Sequence, residues 1–273
     1  MEWSIDAFLE EVVEWAHDDI GVRGVVLLGS QARTDTPADA LSDVDLAVFV
    51  DDPARYLDDG SWVRRFGEPL LNFLEPTAVG GFVERRVLFA SGREVDFSIL
   101  AVAIAKMPPL EARAVLARGF RILYDDNAGL AEFTPLDVEA VPPTQAQLDQ
   151  LSNDFWYHLL WAAKKLRRGE LLLAKQVCDC YLTGRLVELA RWRAHGRDTW
   201  HELRFFERWA GDDVVEAVAK TFARYEAGDV ARALHATAEL FGRLEDHAVK
   251  RFGLSAPVDR SEILRRLDAL TAL

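Results

Sequence analysis

The sequence predicts an α+β fold: a mixed sheet with flanking helices, followed by an all-α helical bundle. Three observations carry this expectation. Apolar strand-like runs alternate with helical patterns as far as about residue 130, and two of the runs are joined by a hairpin turn. A proline-rich stretch at 133–147, FTPLDVEAVPPTQAQ, then breaks the pattern with Pro135, Pro142 and Pro143. Beyond it the helical period persists to the end. A chain of 273 residues holds two domains of ordinary size, expected here over 1–135 and 145–273.

Taken in order, Ile5, Phe8, Leu9, Val12, Val13, Ala16 and Ile20 recur at helical spacing, so 4–19 reads as an amphipathic helix that ends near Gly21 and Gly24. The apolar run 25–28 reads as a buried strand. Gly29-Ser30 opens a helix or turn, and a polar loop follows through Thr34, Asp35, Pro37 and Asp39. Residues 43–50 form a second strand; 82–90 and 94–100 form two more, joined by Ser91-Gly92-Arg93. A helix covers 110–118 and an edge strand 120–124. After the linker, helices are expected over 145–168, 170–194, 199–210, 212–226, 228–252 and 260–271.

Composition narrows the function classes. Half the residues are hydrophobic and 28% are charged, the profile of a soluble globular protein. No apolar run approaches a membrane span, and the acidic, amphipathic N-terminus is unlike a signal peptide, so no membrane association and a cytoplasmic location are expected. The formal charge is −13, with no basic stripe; the cations are scattered or held in short clusters such as Lys164, Lys165, Arg167 and Arg168. That pattern argues against a nucleic-acid partner. An acidic surface is most often a solubility device, and it is also what an enzyme with a polycationic substrate would show; charge alone does not separate the two. Cys178 and Cys180 sit within a helical pattern, where they read as two small buried hydrophobes rather than as a metal site or disulfide.

The chemistry lies in LLGSQARTDTPADALSDVDLAVFV, residues 27–50. Alternate residues of a strand face one side, so Asp43 and Asp45 project together while Val44, Leu46 and Val48 face the core. In REVDFSIL, Asp96 is the polar face of a strand whose opposite face is Val95, Phe97 and Ile99. Carboxylates on neighbouring strands repel one another unless divalent cations neutralise them, and a hard cation such as Mg²⁺ prefers carboxylate and phosphate oxygens. Gly29 lets backbone approach a phosphate, and Ser30 adds a hydroxyl and an N–H at a helix start. A phosphate-holding turn beside metal-binding aspartates describes a nucleotidyl-transfer site.

This order of motifs, strand, Gly-Ser, spacer, Asp-x-Asp and a third Asp on a later strand, resembles the nucleotidyltransferase superfamily that includes DNA polymerase β. Over nearly the whole chain, GSQAR…LSDVDLAVFV, SWVRRFGEPL, GREVDFSIL and NDFWYHLLWAAKKLRRGELLLAK resemble, in order, the aminoglycoside 6-adenylyltransferase family. The Trp62/Phe66-Gly67-Glu68 segment and the Asn153-x-Phe155-Trp156 helix are more specific to it than the carboxylates. The resemblance implies a polymerase-β-like domain with a mixed sheet, a helical substrate-binding domain, and transfer of AMP from ATP to a streptomycin-type antibiotic. It assigns Gly29 and Ser30 to the triphosphate, Ser42 to the nucleotide phosphates, and Asp43 and Asp45 to Mg²⁺, with two ions expected. Asp96 becomes a ligand of the nucleophile-side metal or the general base, and Lys175 a triphosphate contact. The chain departs from the family's usual Gly-Ser-Arg in carrying Gln31, with Arg33 two residues on.

In the helical half, Asp154, Tyr157, Trp161, Lys165 and Arg168 share one face. Asp154, Tyr157 and Trp161 are the candidates for holding the acceptor, in a cleft or as an interface face. Glu68, Glu75 and Glu84 could bind substrate cations or remain solvated. His158, His195, His201, His235 and His247 lack metal-ligand spacing. The partners expected are a nucleotide and an antibiotic, on a monomer or homodimer. Lincosamide nucleotidyltransferases share a similar plan, so a lincosamide or another small-molecule hydroxyl is the alternative acceptor. A non-catalytic antitoxin-like scaffold is a further alternative, but it has little use for three intact carboxylates.

Overall fold

In a computed structural model of the chain, which describes residues 4–33, 38–77, 81–106, 110–133, 141–194 and 203–272, two compact units emerge, Met1–Val138 and Glu139–Leu273. The expected loop residues Thr34, Asp35 and Pro37, linker residues 134–140, the start of the 199–210 helix, and His195 and His201 lie outside the described residues.

The first unit opens with α1 (Ile5–Asp18), β1 (Val22–Leu28), a 3₁₀ turn at Gly29–Ala32 and β2 (Val44–Val50). Next come α2 (Pro53–Asp58), a 3₁₀ turn at Ser61–Phe66, β3 (Pro69–Pro76), β4 (Val83–Phe89) and β5 (Glu94–Ala101). It closes with α3 (Ala103–Lys106), α4 (Leu110–Leu116) and β6 (Arg121–Asp125). The strands form a six-stranded sheet in the order β3-β4-β5-β2-β1-β6. β2 and β5 run parallel, and the other neighbours are antiparallel. The β4–β5 hairpin closes on Ser91-Gly92-Arg93, with the Phe89 N–H bonded to the Arg93 carbonyl at 2.8 Å.

Strand alternation decides which face is buried. Val44, Leu46, Val48 and Val50 join Val95, Phe97 and Ile99 against Phe8, Leu9, Val12 and Trp15 of α1. Trp15 stacks on Trp62 at 4.9 Å, and Phe66 stacks on Phe97 at 5.7 Å, so the SWVRRFG segment works as core. On the opposite face a smaller apolar cluster, with Val26, Ala47, Phe49, Leu100 and Leu130, covers part of the sheet.

α2 and β3 were not legible by period. α2 starts on an Asp52 cap that accepts from the Ala54 N–H, with Pro53 in its first turn. β3 is an edge strand exposed on both faces, so Leu70, Leu71, Phe73 and Leu74 show no alternation.

The second unit contains α5 (Gln145–Arg167), α6 (Leu171–Gln176), α7 (Thr183–Ala194), α8 (Phe206–Trp209), α9 (Asp212–Ala219), α10 (Ala227–Phe252) and α11 (Arg260–Thr271). A π-helical segment, Val177–Leu182, links α6 to α7. α5 begins on a capping box between Thr144 and Gln147. Its core holds Phe155 stacked on Phe241 at 3.6 Å, with Trp156 buried alongside. Glu245, fully buried, meets Arg260 at 2.6 Å and ties α11 to α10. The helix expected to reach residue 226 stops at Ala219, because side chains capture the backbone beyond it. Asp179 accepts from the Ala223 N–H and Asp229 from the Arg224 N–H. Cys178 is buried as expected, but Cys180 is exposed, since residues two apart on a helix point in different directions. Among the described residues no helix is long and apolar enough to cross a membrane.

Arg85 of β4 is buried, and its guanidinium clamps the end of α2: Nε donates to the Tyr56 carbonyl at 3.2 Å, Nη2 to the Leu57 carbonyl, and Nη1 to Asn72 Oδ1 at 2.6 Å. Arg85→Met fills the space but abandons these acceptors. It should destabilise the protein by about 2–3 kcal/mol, read as a lower melting temperature. An unchanged melt would show that the clamp is dispensable.

Candidate active site

The parallel pairing of β2 with β5 sets Asp45 directly opposite Asp96. Both strands turn Val44, Leu46, Val48, Val95, Phe97 and Ile99 to the α1 side, which leaves these carboxylates on the other face. Asp43 immediately precedes β2. Each of Asp43, Asp45 and Asp96 offers one carboxylate oxygen, and these atoms lie within 4.8 Å of one another. Among the described residues no other cluster of three or more His, Cys, Asp or Glu side chains has a geometry that could hold a metal ion.

Asp96 is buried, Asp43 and Asp45 half-buried. Burial pushes the Asp96 carboxyl up to about 7, helped by the charges of Glu84, Asp45 and Asp43 and opposed by Arg86. Three carboxylates this close are under mutual repulsion, and an oxygen-preferring divalent cation is the group that would relieve it.

β1 ends where β2 begins, with Leu28 opposite Asp45. Gly29 follows at φ +65°, and a Cβ there would stand 1.8 Å from Asp45 Oδ2. Only glycine leaves room for both the left-handed backbone and the carboxylate. Ser30 is buried, and its Oγ has no hydrogen-bond partner among the described residues. A buried hydroxyl of this kind is costly unless a ligand completes it. A phosphate oxygen fits that demand, and a cation between the aspartates fits the donor set. Ser42 sits in a turn, its Oγ 3.2 Å from Asp39 Oδ1 and accepting from the Asp39 N–H at 3.0 Å.

The structure also shows residues that periodicity did not single out. Arg86 lies opposite Asp96 on β4, with Nη2 3.4 Å from Asp96 Oδ2. Its Nε is 2.9 Å from both Glu84 and Glu75. Glu84 is therefore a buried, paired group rather than a solvated one. The signal was present in the sequence, since Glu84 and Arg86 alternate with the apolar Val83, Val87 and Phe89 in the expected hairpin, but the register that sets Arg86 opposite Asp96 and the approach of Glu75 are seen only in the structure.

The remaining candidates belong to the second unit. Lys175 donates to Asp179 and, at 2.5 Å, to the Ala223 carbonyl. Asp154 accepts from the Tyr181 hydroxyl at 2.8 and 2.9 Å and lies 3.2 Å from His158 Nδ1. Tyr157 is exposed, while Trp161 carries the Lys165 ammonium 5.1 Å from its ring centre. Trp156, on the same helix, is core.

The raised Asp96 carboxyl has a consequence for stability. An acid whose folded pKa exceeds its unfolded value keeps a proton that the unfolded chain has already lost, so stability falls as pH rises from the ordinary 3.8 to about 7. Asp96→Asn cannot ionise, and in EDTA it should gain on the order of 1–3 kcal/mol over wild type near pH 8. Thermal melts of both proteins should diverge as pH rises above 5. Parallel curves would mean that the carboxylate is not held against its charge.

Comparison with known proteins places the chain in a family. The streptomycin adenylyltransferase family model matches residues 4–266. The aminoglycoside 6-adenylyltransferase of Campylobacter jejuni is 24% identical over 225 residues, covering 77% of this chain and 76% of that protein. The enzyme of the same description from Bacillus subtilis (strain 168) is 23% identical over 236 residues, covering 80% and 79%. A solved aminoglycoside 6-adenyltransferase structure from Bacillus subtilis aligns with 99% of this chain and 100% of that one, at 17% identity and a TM-score of 0.47. Because the family match runs from α1 through the sheet and its aspartates into α11, the chain belongs to the streptomycin adenylyltransferase family.

Proposed function

We propose that the protein transfers AMP from ATP to a hydroxyl of a streptomycin-type aminoglycoside, releasing pyrophosphate, with Mg²⁺ as the metal and two ions as its complement. The observation that carries the chemistry is the convergence of Asp43, Asp45 and Asp96 beside the Gly29-Ser30 turn. The acceptor rests on the family and on relatives described as aminoglycoside 6-adenylyltransferases.

In this reading Asp43 and Asp45 hold the cation that accompanies the triphosphate. The backbone at Gly29 and the Ser30 hydroxyl hold phosphate oxygens, with Ser42 beside them. Bound Mg²⁺ would neutralise the triphosphate and lower the pKa of an acceptor hydroxyl. The acceptor oxygen forms a bond to the α-phosphorus as the bond to the bridging oxygen breaks, and pyrophosphate leaves with that electron pair. Asp96 takes the hydroxyl proton or helps bind the nucleophile-side cation. Asp96 lies beside Asp43 and Asp45, which suits it to either role.

The helical unit is the proposed acceptor-binding domain. Trp161, whose ring already faces one ammonium, supports a cationic acceptor over a lincosamide, as Asp154 and the exposed Tyr157 do. Asp154 would act through the hydroxyl and imidazole it already orients. Lys175 is braced by Asp179 and Ala223, so a triphosphate contact would use its remaining N–H.

The test is mass spectrometry of ATP–Mg²⁺ reactions against a panel of aminoglycosides and lincosamides, run on wild type and Asp96→Asn. An AMP adduct on streptomycin and none on lincosamides is expected. Asp96→Asn should lower kcat by on the order of 10²–10⁴ while ATP affinity stays within a few-fold. An adduct on a lincosamide alone would overturn the acceptor. Near-normal turnover by folded Asp96→Asn would remove Asp96 from the mechanism.

A further inference from the structure

Asp96 belongs to two acidic groups at once. On its β2 side stand Asp45 and Asp43; on its β4 side stand Glu84 and Glu75, which face each other across β3 and β4. The second group already contains a cation. Arg86 reaches Asp96, Glu84 and Glu75 from one guanidinium, with contacts of 3.4, 2.9 and 2.9 Å. The pairing across the sheet makes this placement a matter of register. Arg86 lies opposite Asp96, which lies opposite Asp45, so one row reads cation, carboxylate, carboxylate from β4 to β2.

We propose that Arg86 is a positioning residue for the adenylyl-transfer site: it fills the Glu75/Glu84/Asp96 group as a built-in cation, holds one Asp96 oxygen, and thereby keeps the Asp96 carboxylate aimed at Asp43 and Asp45. The inference rests on the metal-site reading given above. A planar guanidinium meets Glu75 and Glu84 through Nε and Asp96 through Nη2 at a fixed angle, whereas a lysine ammonium at the same position is a point charge on a flexible stem. The charge itself also matters. A guanidinium beside Asp96 opposes a divalent cation bound to the same carboxylate, so Arg86 gives order to the site at the expense of metal affinity.

That trade separates a positioning role from a merely structural one. Removing the guanidinium should tighten metal binding while slowing transfer; a variant that is only damaged should lose both. Mn²⁺ is titrated by electron paramagnetic resonance into nucleotide-free, full-length wild type, Arg86→Met and Arg86→Lys, with melts to confirm folding, and turnover is measured on the same preparations. For Arg86→Met, Mn²⁺ should bind tighter by on the order of tenfold, and kcat should fall by about 10–100-fold with the KM for ATP within a few-fold. Arg86→Lys should bind Mn²⁺ like wild type yet recover only part of kcat. Unchanged or weaker Mn²⁺ binding by folded Arg86→Met, or undiminished turnover, would overturn the role of Arg86 alone. Failure of wild type to bind Mn²⁺ would overturn the metal site, and the role of Arg86 with it.

Discussion

The parallel contact between β2 and β5 is the constraint on which the rest of the site depends. It forces Asp45 and Asp96 side by side on one face of the sheet, and it does so because the other face is apolar. Val44, Leu46, Val48, Val95, Phe97 and Ile99 are buried together against α1. A slip of one residue in either strand would expose that set and bury its carboxylates in the core. The cost of a one-residue slip, several buried side chains at about 1.5–3 kcal/mol each, far exceeds the repulsion between two carboxylates. The hydrophobic register therefore holds like charges together, and the site inherits that tension.

Two features of the neighbourhood respond to this tension. Arg86 neutralises the β4 side of Asp96, where Glu84 and Glu75 add to the charge. The β2 side is closed by the backbone of Gly29, which leaves no room for a side chain against Asp45. What remains beside Asp43 and Asp45 is a cluster of oxygen ligands next to a buried Ser30 hydroxyl that has no partner among the described residues. In the proposed reading, the features that destabilise the isolated chain are the ones a metal-bound triphosphate would relieve. This is the usual relation between a functional site and the stability of its scaffold.

Much of this could be read from the residues. α1, β1, β2, β4, β5 and the long helices α5 and α10 carry clean periods, and the three aspartates stand out because they interrupt apolar strands. What escaped was set by non-local pairing. The hairpin of β4 and β5 was expected, but Arg86 looks like an ordinary surface charge until the register sets it opposite Asp96 and β3 brings Glu75 to it. β3 has no alternation because neither face is buried, and α9 ends early because Asp179 and Asp229 capture the backbone N–H groups after it. Cys180 turned outward although its neighbour Cys178 is core. In the second unit, Asp154 stands out as a charged member of a helix face, and Lys175 only through the family resemblance. The structure shows each already engaged, through Tyr181 and through Asp179, which no helical spacing could reveal.

The most direct test of the central claim is the effect of Mg²⁺ on the melting temperature of the nucleotide-free protein at about pH 8, where Asp96 is ionised. If the sheet holds three carboxylates against their repulsion, millimolar Mg²⁺ should raise the melting temperature of wild type by several degrees, and Asp45→Asn should lose most of that rise. A wild-type melt indifferent to Mg²⁺, or an equal response from Asp45→Asn, would contradict the account.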